Sequence, residues 1–225
     1  MTILAYYFNN GRRIDLTDED YFRYLKLKEP KNRKTQIADL IFYRLYGRYL
    51  KPFQFPNPTY KKEFKNGFSM MANGCLLIET LESFLNGWGD TKDKIKVVDI
   101  HRKYIPKDEN RKKISKSELA FWYFFSDYKY FLSLKNYRKD FYKNIRCGIL
   151  HQGETTGGWK IKRPKDKKLK ELFDPESLTI NANVFAKEIE KVLKKYVGTL
   201  NAEKWDSEVW YNCQTKMNKI IENCK

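Results

Sequence analysis

Histidine is the scarcest chemical group in this chain, with His101 and His151 the only two among 225 residues. The four cysteines, Cys75, Cys147, Cys213 and Cys224, include no Cys-x-x-Cys pair and no histidine at ligand spacing. That pattern supports neither a zinc site nor a disulfide framework, and it fits reduced thiols in a cytoplasmic protein. No metal site and no cofactor are expected. No apolar run approaches the length of a membrane span, and Met1 to Phe8 lacks the basic start and cleavage site of a secretory signal. A membrane is therefore not an expected partner. Internal repeats and low-complexity tracts are also missing.

Acidic residues are in short supply as well: 28 face 45 lysines and arginines, for a net charge of +17. Such a surface attracts polyanions through phosphate contacts and counterion release, so nucleic acid leads the partner classes. The plain alternative is a lysine-rich surface, since 34 of the 45 basic residues are lysines. Hydrophobic residues make up 41% and aromatics 16% of the chain. The large rings add buried area per residue, which argues for a folded protein.

Ile3 to Phe8 and Arg12 to Leu16 flank Asn9-Asn10-Gly11, a hairpin signal of the type I′ kind. Thr17, with Asp20 three residues on, predicts an N-cap and a short helix that stops by Pro30. A second helix, about Asn32 to Leu50, would bury Ile37, Leu40, Ile41, Leu45 and Tyr49 and leave Arg44, Arg48 and Lys51 on its polar face. Lys51 to Pro58 reads as a boundary, which divides the chain into an N-terminal hairpin and helical extension, 1–58, and a helical domain, 59–225. That domain would open with a helix from about Phe64 to Asn86 carrying Glu79 and Glu82, acids that face solvent unless one of them orients an arginine. A lysine-rich loop, Thr91 to Lys113, leads to a helix from about Ser115 to Leu132. Its run Phe121-Trp122-Tyr123-Phe124-Phe125 is read as core against the alternative of a base-stacking platform.

The next helix, Leu134 to about Gln152, is basic and aromatic, and it ends in Arg146-Cys147-Gly148-Ile149-Leu150-His151 before the glycine-rich turn Gly153 to Gly158. Trp159 to Lys162 and Leu178 to Ile180 predict a small antiparallel pair bracketing a basic run from Arg163 to Lys170. That run is either a solvated loop or a clamp on an RNA backbone. Asn183 is expected to cap a helix with Phe185, Ile189, Val192, Tyr196 and Leu200 on one stripe. A last helix carries Asp206, Val209, Trp210, Cys213, Met217 and Ile220. His101, followed by Arg102 and Lys103, reads as a surface residue.

On an ideal α-helix a five-residue step turns about 500°, leaving Arg146 and His151 roughly 140° apart. A cooperating pair would need the helix to unwind near His151, or a second copy of the chain. Gly148 offers room where two helices could approach closely.

The stretch from Arg146 to His151 resembles the Arg-x4–6-His signature of the HEPN superfamily. These are small α-helical domains that include many metal-independent ribonucleases of toxin–antitoxin, CRISPR-associated and anti-phage systems. The resemblance is specific over about Lys143 to Glu154 and looser over the helices from about Gly67 to Leu200. The family often has a polar residue after the arginine, where this chain has Cys147. The position of the nucleotide-accepting tyrosine of one subgroup is Gly153, so regulation by that route is not supported.

The resemblance implies an all-α, HEPN-like helical bundle, here with a short N-terminal β-hairpin and a small β-hairpin insertion after the Arg–His helix. It implies a homodimer in which two Arg–His pairs face each other, RNA as substrate, and an antitoxin or defence-system partner. Histidine suits the transfer of a proton from an attacking 2′-hydroxyl and arginine suits the charged phosphate oxygens, with no metal required. Arg146 and His151 are the candidate catalytic residues, with Cys147, Glu79 and Glu82 as possible supports. Lys143, Lys160, Lys162, Arg163, Lys165, Lys167 and Lys168 are candidates for holding RNA. The alternative is a catalytically silent module of the same kind that binds RNA or a protein.

Overall fold

Asn10 and Gly11 both take positive φ, 48° and 75°, the geometry of a two-residue type I′ turn. They join β1 (Ile3–Asn9) to β2 (Arg12–Thr17) in antiparallel register, Asn9 opposite Arg12. Thr17 then caps α1 (Asp18–Leu25): its hydroxyl accepts from the Asp20 amide while the Asp20 carboxylate accepts from the Thr17 amide. That helix ends at Leu25, ahead of Pro30, which is the first residue of α2 (Pro30–Tyr49), where a missing N–H costs nothing.

The computed structural model describes residues 1–54, 66–163 and 171–224. The expected helix start at Phe64 and the residues Phe55 to Pro58 of the expected boundary lie outside them. The chain is mostly helical with short β elements. It forms two compact units, one of Met1–Phe55, Ser83–Gly89 and Glu190–Lys225, the other of Pro56–Glu82 and Asp90–Ile189. Among the described residues no helix is long and apolar enough to cross a membrane.

In the first unit the hairpin rests on α2, with Tyr7 stacked on Tyr43 at 4.8 Å. Arg44, expected on a polar face, is only 7% exposed and donates to the Leu4 carbonyl oxygen at 2.6 Å. Packing the hairpin over α2 covers both groups, and each satisfies the other. Burial, with Arg48 nearby, pulls the Arg44 pKa down to about 10.

The second unit contains most of α3 (Gly67–Leu85), the strand pair β3 (Lys94–Lys96) and β4 (Lys113–Ser115), and α4 (Lys116–Asp127). The β3–β4 pair, read as loop from sequence, closes the lysine-rich excursion between them. Phe121, Trp122, Phe124 and Phe125 are fully buried, as core rather than as a stacking platform. The helix expected to reach Leu132 ends at Asp127, and 3₁₀ turns follow over Lys129–Tyr137. The rings explain the break. Phe124 and Phe131 sit 4.9 Å apart, whereas seven residues of unbroken helix would separate them by about 10 Å of rise.

One α-turn, Arg138–Phe141, then widens into a π-helix over Tyr142–Gln152. Beyond it lies a three-stranded sheet of β5 (Lys160–Lys162), β6 (Phe173–Asp174) and β7 (Thr179–Asn181) in the order β5-β7-β6. The expected antiparallel pairing of β5 with β7 is wrong, because they run parallel. The hairpin is β6–β7, turned where Asp174 accepts from the Glu176 amide and the Ser177 hydroxyl and Leu178 takes φ 48°. With that edge of β7 occupied, β5 pairs on the other.

Asn181, not Asn183, caps α5 (Ala182–Ala202), accepting from the amides of Asn183 and Val184. The last helix, α6 (Glu208–Glu222), buries Trp210, Cys213, Met217 and Ile221.

Candidate Arg–His site

The π-helix decides how Arg146 and His151 meet. Its hydrogen bonds run between residues five apart, so side chains at i and i+5 stack on one face. Arg146 Nη1 lies 3.4 Å from His151 Nε2 in a single chain, without the unwinding or second copy that an α-helix would require. Arginine has no acceptor, so a hydrogen bond here runs from Arg146 to His151 Nε2. The contact is long for a hydrogen bond. His151 is exposed and held lightly, while Arg146 is held firmly.

Glu79, expected at the surface, is only 5% exposed. Its Oε1 accepts from Arg146 Nε at 2.8 Å and its Oε2 from Arg146 Nη2 at 3.3 Å. Of the two readings for the acids, orientation of Arg146 is therefore realised by Glu79. Glu82 is also buried, which overturns its solvent-facing reading, and its charge raises the pKa of Tyr123 and Tyr128 behind the dominant effect of burial. Burial works against the Arg146 cation, but the Glu79 hydrogen bonds and charge outweigh it and lift the Arg146 pKa above the ordinary arginine value. Arg146 is thus a permanently charged group on a fixed carboxylate.

A second layer fixes that carboxylate. Ser117 Oγ, in the first turn of α4, donates to Glu79 Oε2 at 2.7 Å, and Tyr142 donates to Ser117 Oγ at 3.3 Å. The Arg146 guanidinium also lies 5.5 Å from the Tyr142 ring centroid, within cation–π range. Sequence reasoning missed Ser117 and Tyr142, although Tyr142 stands four residues before Arg146 and Ser115-Lys116-Ser117-Glu118 carries a helix-start pattern.

Cys147 sits beside Arg146, and the buried Cys75, one turn before Glu79, has its pKa raised by burial and then by the Glu79 charge.

The turn after His151 closes back on the π-helix. Gly153 takes φ 72°, the Thr156 amide donates to Asn144 O at 3.0 Å, and the Thr156 hydroxyl donates to Asn144 Oδ1 at 2.8 Å. A Cβ on Gly148 would come within 2.5 Å of the Glu154 carbonyl oxygen. The space at Gly148 is therefore filled by the chain's own turn, not left open for another helix.

The candidate RNA contacts divide. Lys143 is exposed on the π-helix, and Lys160 and Lys162 share the exposed side of β5. Arg163 is engaged inside the unit, with Nε donating to Asn183 Oδ1 at 2.8 Å and Nη1 donating to Asn66 Oδ1. It ties β5 to the starts of α3 and α5, which makes it a structural residue. Lys165, Lys167 and Lys168 lie outside the described residues. His101 is exposed; its Nδ1 accepts from the Lys103 amide. Among the described residues no group of three or more His, Cys, Asp or Glu side chains is arranged to hold a metal ion. No protein family, curated protein or solved structure significantly matches this chain.

Proposed function

We propose that the chain is a HEPN-like endoribonuclease that cleaves RNA through attack of the substrate's own 2′-hydroxyl. The observation that carries this reading is the contact of a lightly held histidine with an arginine that is anchored on a buried glutamate. A phosphate beside Arg146 Nη1 meets a fixed cation and an imidazole nitrogen together. Arg146 would neutralise the oxygens of the pentavalent phosphorane, and Glu79 would keep the guanidinium from following the phosphate out of register. His151 Nε2 would take the 2′-hydroxyl proton as the O2′–P bond forms. The leaving 5′-oxygen departs on the opposite side of phosphorus and takes a proton there, out of reach of the same imidazole.

That second proton transfer gives the homodimer a chemical purpose, with a second His151 on the leaving-group side. On this reading the protein works in a toxin–antitoxin or anti-phage setting beside an antitoxin or defence-system protein.

The test is incubation of purified protein with single-stranded RNA in EDTA. Expected products have 5′-hydroxyl ends and 2′,3′-cyclic or 3′-phosphate ends, and 2′-deoxy substitution at the cut site blocks the reaction. Products with 5′-phosphate ends, or a strict need for magnesium, would remove the role given to His151. RNA binding with no cleavage under any condition would leave the silent binding module in its place.

A further inference from the structure

A separate cleft of about 1230 Å³ opens in the second unit between the 3₁₀ turns near Arg102 and the Lys135–Arg138 segment. It is large against the roughly 300–1,000 Å³ of ordinary small-ligand clefts. One wall is apolar, formed by Val98, Ile100, Ile105 and Pro106. Val98 is 85% exposed there, an apolar side chain left in water at the mouth of a cleft.

The charges are one-sided. Arg102, Lys107, Lys135 and Arg138 line the cleft, and none of them has a carboxylate within salt-bridge distance among the described residues. The two lining acids are already neutralised from outside it. Asp108 takes Lys139 at 2.8 Å, and Glu109 takes Arg111 at 2.7 Å. Arg138 is the sharpest case. It is 6% exposed, its Nη1 donates to the Lys135 carbonyl oxygen, and its buried Nε has no hydrogen-bond partner among the described residues. A buried cation without a paired anion is costly. Burial accordingly pulls the Arg138 pKa down, with only the Asp108 charge working the other way.

We propose that this cleft binds a nucleotide, its base against the Val98–Pro106 wall and its phosphate against Lys107, Lys135 and Arg138. An apolar wall beside uncompensated cations matches a ligand that is flat and apolar at one end and polyanionic at the other. Inorganic phosphate leaves the wall in water, and a neutral nucleoside leaves the cations unpaired. The nucleotide is either free or one unit of an RNA strand.

Binding to the full chain distinguishes these sources. The probes are ATP, tripolyphosphate and a 2′-O-methyl pentaribonucleotide that cannot be cleaved by 2′-hydroxyl attack. Expected is saturable binding of ATP or of the oligonucleotide, weakened about tenfold or more by the double change Lys107→Glu/Lys135→Glu. Lys26→Glu/Lys28→Glu, an equal change of charge in the other unit, leaves binding as it was. Comparable or tighter binding of ATP assigns a free nucleotide, while oligonucleotide binding well above ATP assigns an RNA strand. Arg138→Gln gives a third measure if it folds, and the lysine pair stands without it.

The proposal is overturned if neither ATP nor the oligonucleotide binds, if the Lys107/Lys135 and Lys26/Lys28 pairs behave alike, or if tripolyphosphate binds as well as ATP and the oligonucleotide. Binding is the readout, so the result is independent of whether Arg146 and His151 cut RNA.

Discussion

At the scale of single residues, Arg146 and His151 contribute to stability very differently. The Arg146 side chain is 16% exposed and the Glu79 side chain 7%, so removing one partner takes the counter-charge from the other. Arg146→Ala should cost about 3–5 kcal/mol by taking the counter-charge from the buried Glu79. Adding Glu79→Ala should recover a substantial part of that loss, which denaturant unfolding of the single and double variants will measure. His151 is exposed and makes one long contact, so His151→Ala should stay within about 0.5 kcal/mol of the parent while abolishing RNA cleavage. A His151→Ala protein that cuts RNA at the parental rate would end the catalytic assignment. Glu79→Gln keeps the shape and removes the charge; cleavage should fall mainly in kcat, because the guanidinium would still meet phosphate but no longer be fixed. An unchanged kcat would make Glu79 a purely structural partner.

The π-helix is the element that turns a spacing into a site. The Gly153–Gly158 turn folds back over Asn144 and Gly148, so the turn and the pair should fail together. Gly148→Ala must push the Glu154 carbonyl aside, at a cost of about 1–3 kcal/mol, and should lower cleavage more than that stability loss explains. Chemical denaturation and initial rates on the same preparation test this. Normal cleavage by Gly148→Ala would show that the turn does not set the distance between Arg146 and His151. Arg163 works at the same scale. Its bonds to Asn66 and Asn183 join three elements, so Arg163→Ala should destabilise by about 1–3 kcal/mol with little effect on RNA affinity once the protein is folded.

Across the whole molecule the charge of +17 would set how RNA is gathered under the proposed function. Affinity for single-stranded RNA should fall linearly on a log–log plot against salt, with a slope of about −0.7 for each phosphate neutralised. Lys160→Ala/Lys162→Ala removes two exposed cations from one side of β5 and should flatten that slope by about 1.4 without altering which sequence is preferred. An unchanged slope would place the RNA track away from this sheet. The proposed dimer belongs to this scale too. The pair meets within one chain and Gly148 is filled by the chain itself, so what favours two copies is the resemblance and the second proton transfer. A protein that is monomeric by light scattering at assay concentration, yet cleaves at the full rate per chain, would dispose of the dimer.

Much of the local structure was legible because its causes lie within a few residues of each other. Asn10-Gly11 makes the first turn through backbone sterics, Thr17 and Asp20 cap α1 through neighbouring amides, and the stripe from Phe185 to Leu200 buries one face of α5. The Arg146–His151 spacing was visible too, but on an α-helix it splays the two side chains apart. Tertiary structure decided what depends on residues far apart in sequence. Glu79 was chosen over Glu82 as the partner of Arg146 across 67 positions, and no helical periodicity ranks two acids that sit three residues apart. Arg44 went inside because the hairpin folded over α2, and β5 took the parallel edge of β7 because β6 held the other. The π-winding belongs with these. Arg146 is held by Glu79 and the Thr155–Thr156 backbone lies against Gly148, and an interval of five residues becomes a single face on a π-helix, which no α-helical periodicity in the sequence announces.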